Sequence, residues 1–277
     1  MLKLDPIRLC TFDVDETLLD DQQRIPPILQ DALQQCRRRG IRLSLATGRM
    51  FEAARPYLQA IRADAPAILY NGARVQDPDT GAVLYGRTVD LTESRRVLAL
   101  VKQLGLHVNL YLDDSIFIER ESPVSLESAR KDGIRQRPVG DLASFLDHPP
   151  TKLLIIGPGP TLERLGAMFD AQPHSATVVR SEPTYLEILP AGVTKGTALQ
   201  EVSRITGVPL SQIAAFGDSN NDTDMLIKAG LGVAVGNAID AVKAAADYVA
   251  EGRNGTGVAE ALFRFVLVDE DAGVPLS

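Results

Sequence analysis

The sequence is poor in the features that mark secreted, membrane-bound and nucleic-acid-binding proteins. Its two cysteines, Cys10 and Cys36, cannot build a disulfide framework and are typical of a reducing cytoplasm. No apolar run approaches the roughly 20 residues of a membrane span, and the N-terminal MLKLDPIRLC lacks a signal-peptide pattern. A net charge of −7 without a dense Lys/Arg tract argues against a nucleic-acid surface. We therefore expect a cytoplasmic globular protein that binds neither membranes nor nucleic acids; its oligomeric state is left open.

A nucleotide-binding P-loop is also absent. No G-x-x-x-x-G-K-[ST] pattern occurs, which argues against an ATP-driven kinase. The stretch GPGPTLERLG imitates a phosphate loop, but Pro158 and Pro160 have no N–H to donate to a phosphate. We interpret it as a turn followed by a helix that Thr161 caps.

Short apolar runs alternate with helical patterns towards both ends of the chain, which is the pattern of an α/β protein with a parallel sheet. The clearest strands are IRLCTF, IRLSLA, AILYN, IAAFG and LGVAVG. Between and after them lie the helical patterns PPILQDALQQCRRRG, TKGTALQEVSRITG and DAVKAAADYVA. The second of these begins at a candidate cap, Thr194, and ends at Gly207.

The middle of the chain has a different pattern, in which paired strands such as HVNLYLDDSIFIE and TYLEILP accompany two helices. This indicates an α+β unit inserted between the halves of the α/β core. We predict a Rossmann-like three-layer core from residues 1–85 and 194–277. Residues 86–193 are predicted to form an inserted α+β cap domain.

Polar groups follow the core strands at the points where the strands end. Ligands of open parallel sheets bind beyond the carboxyl ends of the strands, so these groups can meet across one edge. The motifs are DVDETLLD, TGR and GDSNND, together with the lysine that begins the helix after the insertion. The side chains or backbone groups that we expect at this edge are those of Asp13, Asp15, Thr47, Gly48, Lys195, Asp218, Asn221 and Asp222.

The residue types at this edge fit phosphoryl transfer. Several carboxylates in one place repel each other and demand a cation, and oxygen ligands without His or Cys favour Mg²⁺. A hydroxyl, a lysine and N–H groups at helix starts can hold a phosphate. One carboxylate can attack phosphorus while a second, two residues on, moves protons. Each motif alone has an ordinary structural explanation, but the ordered set predicts an active site.

DVDETLLD, LATGR, Lys195 in GVTKG and GDSNND resemble the four motifs of the haloacid dehalogenase-like superfamily. The large insertion and the ending AVGNAIDAVKAAADYVAEGRNGTGVAEAL resemble its Cof-type phosphatases, which have a cap of the C2 type. The resemblance implies that Asp13 is the nucleophile and Asp15 the general acid/base. Its implied Mg²⁺ ligands are Asp13, the Asp15 carbonyl and Asp218, with Asp222 as a further ligand or held behind them. Its implied phosphoryl contacts are Thr47, Gly48, Lys195 and Asn221, besides the nucleophile Asp13. Glu16 departs from the pattern, since most such proteins have glycine there.

The resemblance predicts a Mg²⁺-dependent phosphatase that acts on a small phosphorylated metabolite through an aspartyl-phosphate. Sugar phosphates are the first expectation, while flavin mononucleotide, pyridoxal phosphate and nucleotides stay open. The alternatives are a phosphotransferase or mutase with the same intermediate, a phospho-accepting signalling protein, and a ligand-binding protein without catalysis. The cap is expected to close over the site and to select the substrate. Its candidate substrate contacts are His107, Asn109, Tyr111, Arg180 and Glu187.

Overall fold

The computed structural model describes residues 5–20, 22–171 and 175–268, so residues 269–277 of the predicted core lie outside the described residues. The strands in chain order are β1 (Leu9–Phe12), β2 (Arg42–Leu45), β3 (Ala67–Leu69), β4 (Arg74–Gln76), β5 (Val83–Gly86), β6 (His107–Leu112), β7 (Ser115–Ile118), β8 (Gln136–Pro138), β9 (Lys152–Ile156), β10 (Ala176–Glu182), β11 (Tyr185–Pro190), β12 (Ile213–Gly217), β13 (Leu231–Ala234) and β14 (Tyr248–Val249). The α-helices are α1 (Pro27–Arg38), α2 (Phe51–Ile61), α3 (Leu91–Gln103), α4 (Pro123–Asp132), α5 (Leu142–Phe145), α6 (Gly159–Asp170), α7 (Lys195–Thr206), α8 (Thr223–Lys228), α9 (Asp240–Ala245) and α10 (Asn254–Ala261). None of the helices in the described part of the chain has the length and apolarity that a membrane span needs.

The core is a five-stranded sheet in the order β14-β13-β12-β1-β2, and every neighbouring pair in it is parallel. This confirms the predicted α/β class. Helices α1 and α10 pack on one another, as do α7 and α8. In β1, Phe12 pairs with Leu45 of β2 on one side and with Phe216 of β12 on the other. This register brings the residues that follow the three strands to the same edge of the sheet.

The ends of α1 and α7 follow from local sequence signals. Thr194 accepts a hydrogen bond from the N–H of Thr197, and Gly207 ends α7 in the left-handed conformation. Both assignments confirm the sequence prediction. Gly40, just after α1, has a φ of 74°, which a residue without Cβ adopts readily.

Two local predictions are wrong. Helix α6 begins at Gly159 after Pro158, so Thr161 lies inside the helix and does not cap it. The reason is that Pro160 suits the first turn of the helix, because the N–H group that proline lacks would have no intrahelical partner there. The pattern DAVKAAADYVA is not one helix, since α9 ends at Ala245 and Tyr248–Val249 pair with β13 as an edge strand.

The elements from α3 to β11, which we call the insert, build a second sheet in the order β10-β11-β9-β6-β7-β8. Its pairs are antiparallel except β7–β8. The predicted paired strands are therefore confirmed, but the described residues of the insert include α4 and α5 besides the two predicted helices. Strands β3, β4 and β5 form a small antiparallel sheet just before it. The domain limits near Gly86 and Val193 stay a prediction.

The two faces of the insert sheet have different neighbours. Leu153 and Ile155 of β9 join an apolar cluster with residues of α3 and α6. Leu154, between them, belongs instead to the apolar cluster of the core, because successive side chains of a strand point to opposite faces. Tyr111 pairs with Lys152 across β6 and β9, so these two side chains share the face that looks towards the core. This face covers the edge of the core sheet where the predicted site residues lie.

Candidate active site

Three acidic side chains meet at the carboxyl edge of the core sheet. Asp13 directly follows β1, and its N–H donates to the carbonyl of Phe216 at 3.0 Å. Asp218 and Asp222 lie in the turn after β12, and all three residues are buried. One carboxylate oxygen of each lies within 4.8 Å of the others. The structure thus brings together carboxylates that are about 200 residues apart in the sequence.

Lys195 joins two of these carboxylates. It begins α7, its side chain is fully buried, and its Nζ lies 2.6 Å from Asp13 Oδ1 and 2.6 Å from Asp222 Oδ1. The other oxygen of Asp222 accepts the N–H groups of Asp218 (3.1 Å) and Ser219 (3.0 Å). Both oxygens of Asp222 are therefore occupied by protein donors. No described residue donates a hydrogen bond to Asp13 Oδ2 or Asp218 Oδ2.

The electrostatics of this cluster favour an additional cation. Burial raises the pKa of Asp13 well above its ordinary value, which the charge of Lys195 opposes and the charges of Asp222 and Asp218 reinforce. Burial and the charge of Asp222 raise the pKa of Asp218 to about 6, although Thr17 Oγ1 donates to it at 2.6 Å. Burial acts to lower the pKa of Lys195, but Asp13 and Asp222 outweigh burial and raise it. Three carboxylates share one buried ammonium, and their all-oxygen donor set fits Mg²⁺.

Asp15 faces the same edge and is held by an arginine. Arg49 donates from Nε to Asp15 Oδ2 at 3.0 Å and from a terminal nitrogen to Asp15 Oδ1 at 2.7 Å. The guanidinium also lies over the ring of Tyr57, 5.2 Å from its centroid. A two-point pair of this kind is strong and directional, so it fixes the Asp15 carboxylate in place. Arg49 belongs to the TGR motif, but the motif alone does not indicate that its last residue holds Asp15.

The loop after β2 carries Thr47 and Gly48 and packs tightly on Asn71. A Cβ at Gly48 would lie 3.0 Å from Asn71 Nδ2, so the position favours glycine. Asn71 Oδ1 accepts a hydrogen bond from Asn221 Nδ2 at 2.9 Å. The N–H of Asn71 also donates to the carbonyl of Thr47 at 3.0 Å, so Asn71 links this loop to Asn221.

A buried ion pair joins the insert to this loop. Lys152 Nζ donates to the carbonyl oxygen of Gly48 at 3.0 Å and lies 3.0 Å from Glu187 Oε2. The same oxygen of Glu187 accepts from Asn71 Nδ2 at 3.0 Å. The ammonium of Lys152 also lies 4.6 Å from the centroid of the Tyr111 ring. These contacts hold the insert against the core in a closed arrangement.

A cavity of about 130 Å³ lies between the core and the insert. From the core it is lined by Asp13, Asp15, Thr47, Gly48, Arg49 and Asn221. From the insert it is lined by Tyr111, Lys131, Asp132, Lys152, Glu182 and Glu187. The predicted catalytic residues, and the predicted phosphate-binding residues other than Lys195, therefore face residues of the predicted cap across one small cavity.

The structure brings two of the five predicted cap residues to this cavity, Tyr111 and Glu187. Asn109 lies on the same face of β6 but is covered by α4, where its amide donates to Ser128 Oγ at 2.8 Å. His107 is hydrogen-bonded to Asn109 and is four residues from Tyr111, about 13 Å along the strand. Arg180 contacts Pro183 and Glu163 instead. These last three are not among the described residues that line the cavity.

Three comparisons with known proteins agree with one another. The family model described as haloacid dehalogenase-like hydrolase matches residues 10–262. An HMP-PP phosphatase from Cronobacter sakazakii is 31% identical over 233 residues, which are 84% of this chain and 85% of that protein. An Enterobacter protein of the same name is 33% identical with the same coverage. A haloacid dehalogenase-like hydrolase from Bacteroides thetaiotaomicron has a crystal structure that aligns with a TM-score of 0.83 at 28% identity, covering 93% of this chain and 99% of that one.

Proposed function

The chain belongs to the haloacid dehalogenase-like hydrolases, and on this basis we propose that it is a Mg²⁺-dependent phosphatase of small phosphorylated metabolites. The observation that carries this proposal is the buried group of Asp13, Lys195 and Asp218 beside a cavity that Asp13 lines between the core and the insert. Relatives that are more than 30% identical and are named phosphatases support it. We also propose that residues 86–193 act as the cap of this site.

Mg²⁺ would be held by Asp13, by the backbone carbonyl of Asp15 and by Asp218. The oxygens Asp13 Oδ2 and Asp218 Oδ2, to which no described residue donates, support these two as ligands. Asp222 is better suited to hold Lys195 and the turn, because both of its oxygens accept hydrogen bonds from the protein. When bound, the ion supplies positive charge that favours an ionised Asp13 and draws charge from the phosphoryl oxygens.

Catalysis proceeds in two steps. A carboxylate oxygen of Asp13 attacks phosphorus, the bond from phosphorus to the alcohol oxygen breaks, and that oxygen takes a proton from the Asp15 carboxyl group. Asp15, now a carboxylate, takes a proton from water as the water oxygen attacks the aspartyl-phosphate, which releases phosphate and restores Asp13. The pair with Arg49 holds the Asp15 carboxyl group in position for both proton transfers.

The phosphoryl oxygens would be bound by four donors at the cavity floor. These are the hydroxyl of Thr47, the N–H of Gly48, the ammonium of Lys195 and the amide of Asn221. Thr47, Gly48 and Asn221 line the cavity, and Lys195 donates a hydrogen bond to Asp13, the proposed nucleophile. Four donors of different chemistry suit the dispersed charge of a transferring phosphoryl group.

The volume and the lining of the cavity indicate the size and polarity of the substrate. A volume of about 130 Å³ is small beside the roughly 300–1,000 Å³ of ordinary ligand pockets. Its walls carry several charged side chains among apolar ones, so we propose a compact phosphomonoester with polar groups, such as a sugar phosphate, with the insert opening to admit it.

A screen of phosphorylated metabolites with Mg²⁺ tests the proposal, with phosphate release as the readout. We expect the wild-type protein to release phosphate, and both Asp13→Asn and EDTA to abolish release. Asp79→Asn, on an exposed turn, serves as the matched control and should stay active. Metal-stimulated phosphate release by Asp13→Asn would contradict the mechanism. Adding acceptor sugars and analysing the products distinguishes hydrolysis from phosphoryl transfer to a second sugar.

A further inference from the structure

One carboxylate in the cavity wall has no hydrogen-bond or ion-pair partner among the described residues. Asp132 is the last residue of α4, and its half-buried side chain lines the cavity without a hydrogen bond or ion pair to any described residue. The other charged residues of the wall are paired. Lys152 pairs with Glu187, Lys131 with Glu182, and Arg49 with Asp15. Asp132 is therefore the charged residue of this wall that the fold itself leaves unsatisfied.

The position of Asp132 is unfavourable for folding. The carboxyl end of a helix carries partial negative charge, which favours lysine or arginine over aspartate. Burial removes water from the Asp132 carboxylate and so raises its pKa, although the charges of Lys152, Arg49 and Lys131 act to lower it. The helix end does not need this side chain, because Gly133 closes it in the left-handed conformation. Residues that break several local rules at once are expected at functional sites.

The insert wall has further features that bear on the ligand. Ser181 of β10 lines the same cavity, and its buried Oγ has no hydrogen-bond partner among the described residues. Two lysines and three carboxylates of the insert line the cavity, so this wall carries one excess negative charge. The oxygens of Asp132 and Ser181 are therefore free to accept hydrogen bonds from donor groups of a ligand. The excess negative charge of the wall disfavours additional anionic groups on that ligand.

We propose that Asp132 is a specificity-determining residue that accepts hydrogen bonds from donor groups, hydroxyl or ammonium, on the alcohol part of the phosphomonoester. The phosphoryl group lies on the core side, at Asp13 and Thr47, and the rest of the substrate faces Asp132 across the cavity. The unpaired charge also selects against alcohols that carry a second phosphate. This inference rests on the proposed phosphatase function.

The test compares four substrates on the wild type, Asp132→Asn and Asp132→Ala with Mg²⁺. Glucose 6-phosphate and glucosamine 6-phosphate carry hydroxyl and ammonium donors, p-nitrophenyl phosphate carries neither, and fructose 1,6-bisphosphate carries a second phosphate. We expect Asp132→Ala to lower kcat/KM for the better sugar monophosphate, relative to p-nitrophenyl phosphate, by about tenfold or more. The monophosphate whose kcat/KM falls more identifies the donor group as hydroxyl or ammonium. Asp132→Asn should raise the activity on the bisphosphate relative to the monophosphate.

Two controls separate this role from a structural one. Glu127→Gln removes a carboxylate from an exposed position on the same helix and should leave all four kcat/KM values unchanged. Asp132→Asn should unfold at the same temperature as the wild type or at a higher one. Equal proportional losses on all four substrates, or a clearly lower unfolding temperature, would overturn the inference while leaving the phosphatase proposal intact. A wild-type protein that releases phosphate from none of the four and from no metabolite of the screen would instead overturn the proposed function, and the inference with it.

Discussion

Replacing Lys195 with methionine would leave the two carboxylates that it joins without their buried cation. Its Nζ lies 2.6 Å from an oxygen of Asp13 and 2.6 Å from an oxygen of Asp222, and its side chain is fully buried. Methionine nearly preserves the volume but removes the charge. Breaking a buried pair from one side costs about 3–5 kcal/mol, because the remaining charge stays desolvated. We expect a loss of this size in the free energy of unfolding at pH 7.5 in EDTA.

The destabilisation caused by Lys195→Met should decrease as the pH falls. Lys195 lowers the pKa of both Asp13 and Asp218, so removing it raises the pKa of each carboxyl further. The folded variant then binds more protons than the folded wild type between pH 7.5 and pH 5. Each extra proton offsets about 1.4 kcal/mol per pH unit. The difference between the two proteins should therefore narrow to about 1–2 kcal/mol at pH 5.

Urea unfolding followed by circular dichroism measures both values. Adding Mg²⁺ at pH 7.5 should recover part of the loss, because a divalent ion replaces the missing positive charge. Lys102→Met serves as a matched control, since it breaks an exposed ion pair with Asp141 and should change stability little at either pH. A loss at Lys195→Met that is the same at pH 5 and pH 7.5 would refute the coupling between lysine and carboxylates.

Two further predictions concern the same edge of the sheet. In EDTA, ionisation of Asp218 should lower the free energy of unfolding by about 2 kcal/mol as the pH rises from about 4 to about 6. The reason is that folded Asp218 has a pKa of about 6 against an ordinary 3.8 and binds its proton more tightly than the unfolded chain. Asp218→Asn should remove this contribution to the pH dependence and the rise in unfolding temperature caused by Mg²⁺; an unchanged Mg²⁺ effect would exclude Asp218 as a ligand. Glu16→Gly should stabilise the protein by up to about 1 kcal/mol, because Glu16 has a φ of 60°. Glu16→Gln, which keeps a side chain there, should not; equal thermal stability of the two variants would refute the strain.

The core of the site could be predicted because its determinants are local. Asp13 and Asp218 each follow a short apolar strand. Parallel strands end at the same edge of their sheet, so the order of elements predicts that these two residues lie close together. The helix that begins at Lys195 was equally readable from its Thr194 cap and Gly207 stop. Glu16, where the family pattern has glycine, has a backbone conformation that favours glycine.

The insert was harder to predict because its contacts depend on packing between distant elements. Helix α4 was missed since its buried residues include Ser125 and Ser128, which give no apolar period. Its capping box at Ser122 was a local signal that went unused. Without α4, nothing indicated that Asn109 would be covered by it or that Asp132 would reach the cavity.

The same limit applies to the links between the insert and the core. Alternation along β6 placed Tyr111 on the correct face, but it gave no measure of how far along the strand the cavity extends. The pair of Lys152 with Glu187 joins two neighbouring strands of the insert, and its contact with the Gly48 carbonyl depends on how the insert sits on the core. Such contacts are set by tertiary packing and leave no periodic trace in the sequence.

The central claim is that Asp13 carries the phosphoryl group during turnover. Borohydride reduces an aspartyl-phosphate to homoserine, so quenching the reaction with it and mapping peptides by mass spectrometry marks the residue. With Mg²⁺ and a substrate that is turned over, we predict homoserine at position 13, and none in EDTA. Homoserine at Asp15 or Asp218 instead, or at no position while phosphate is being released, would contradict the account.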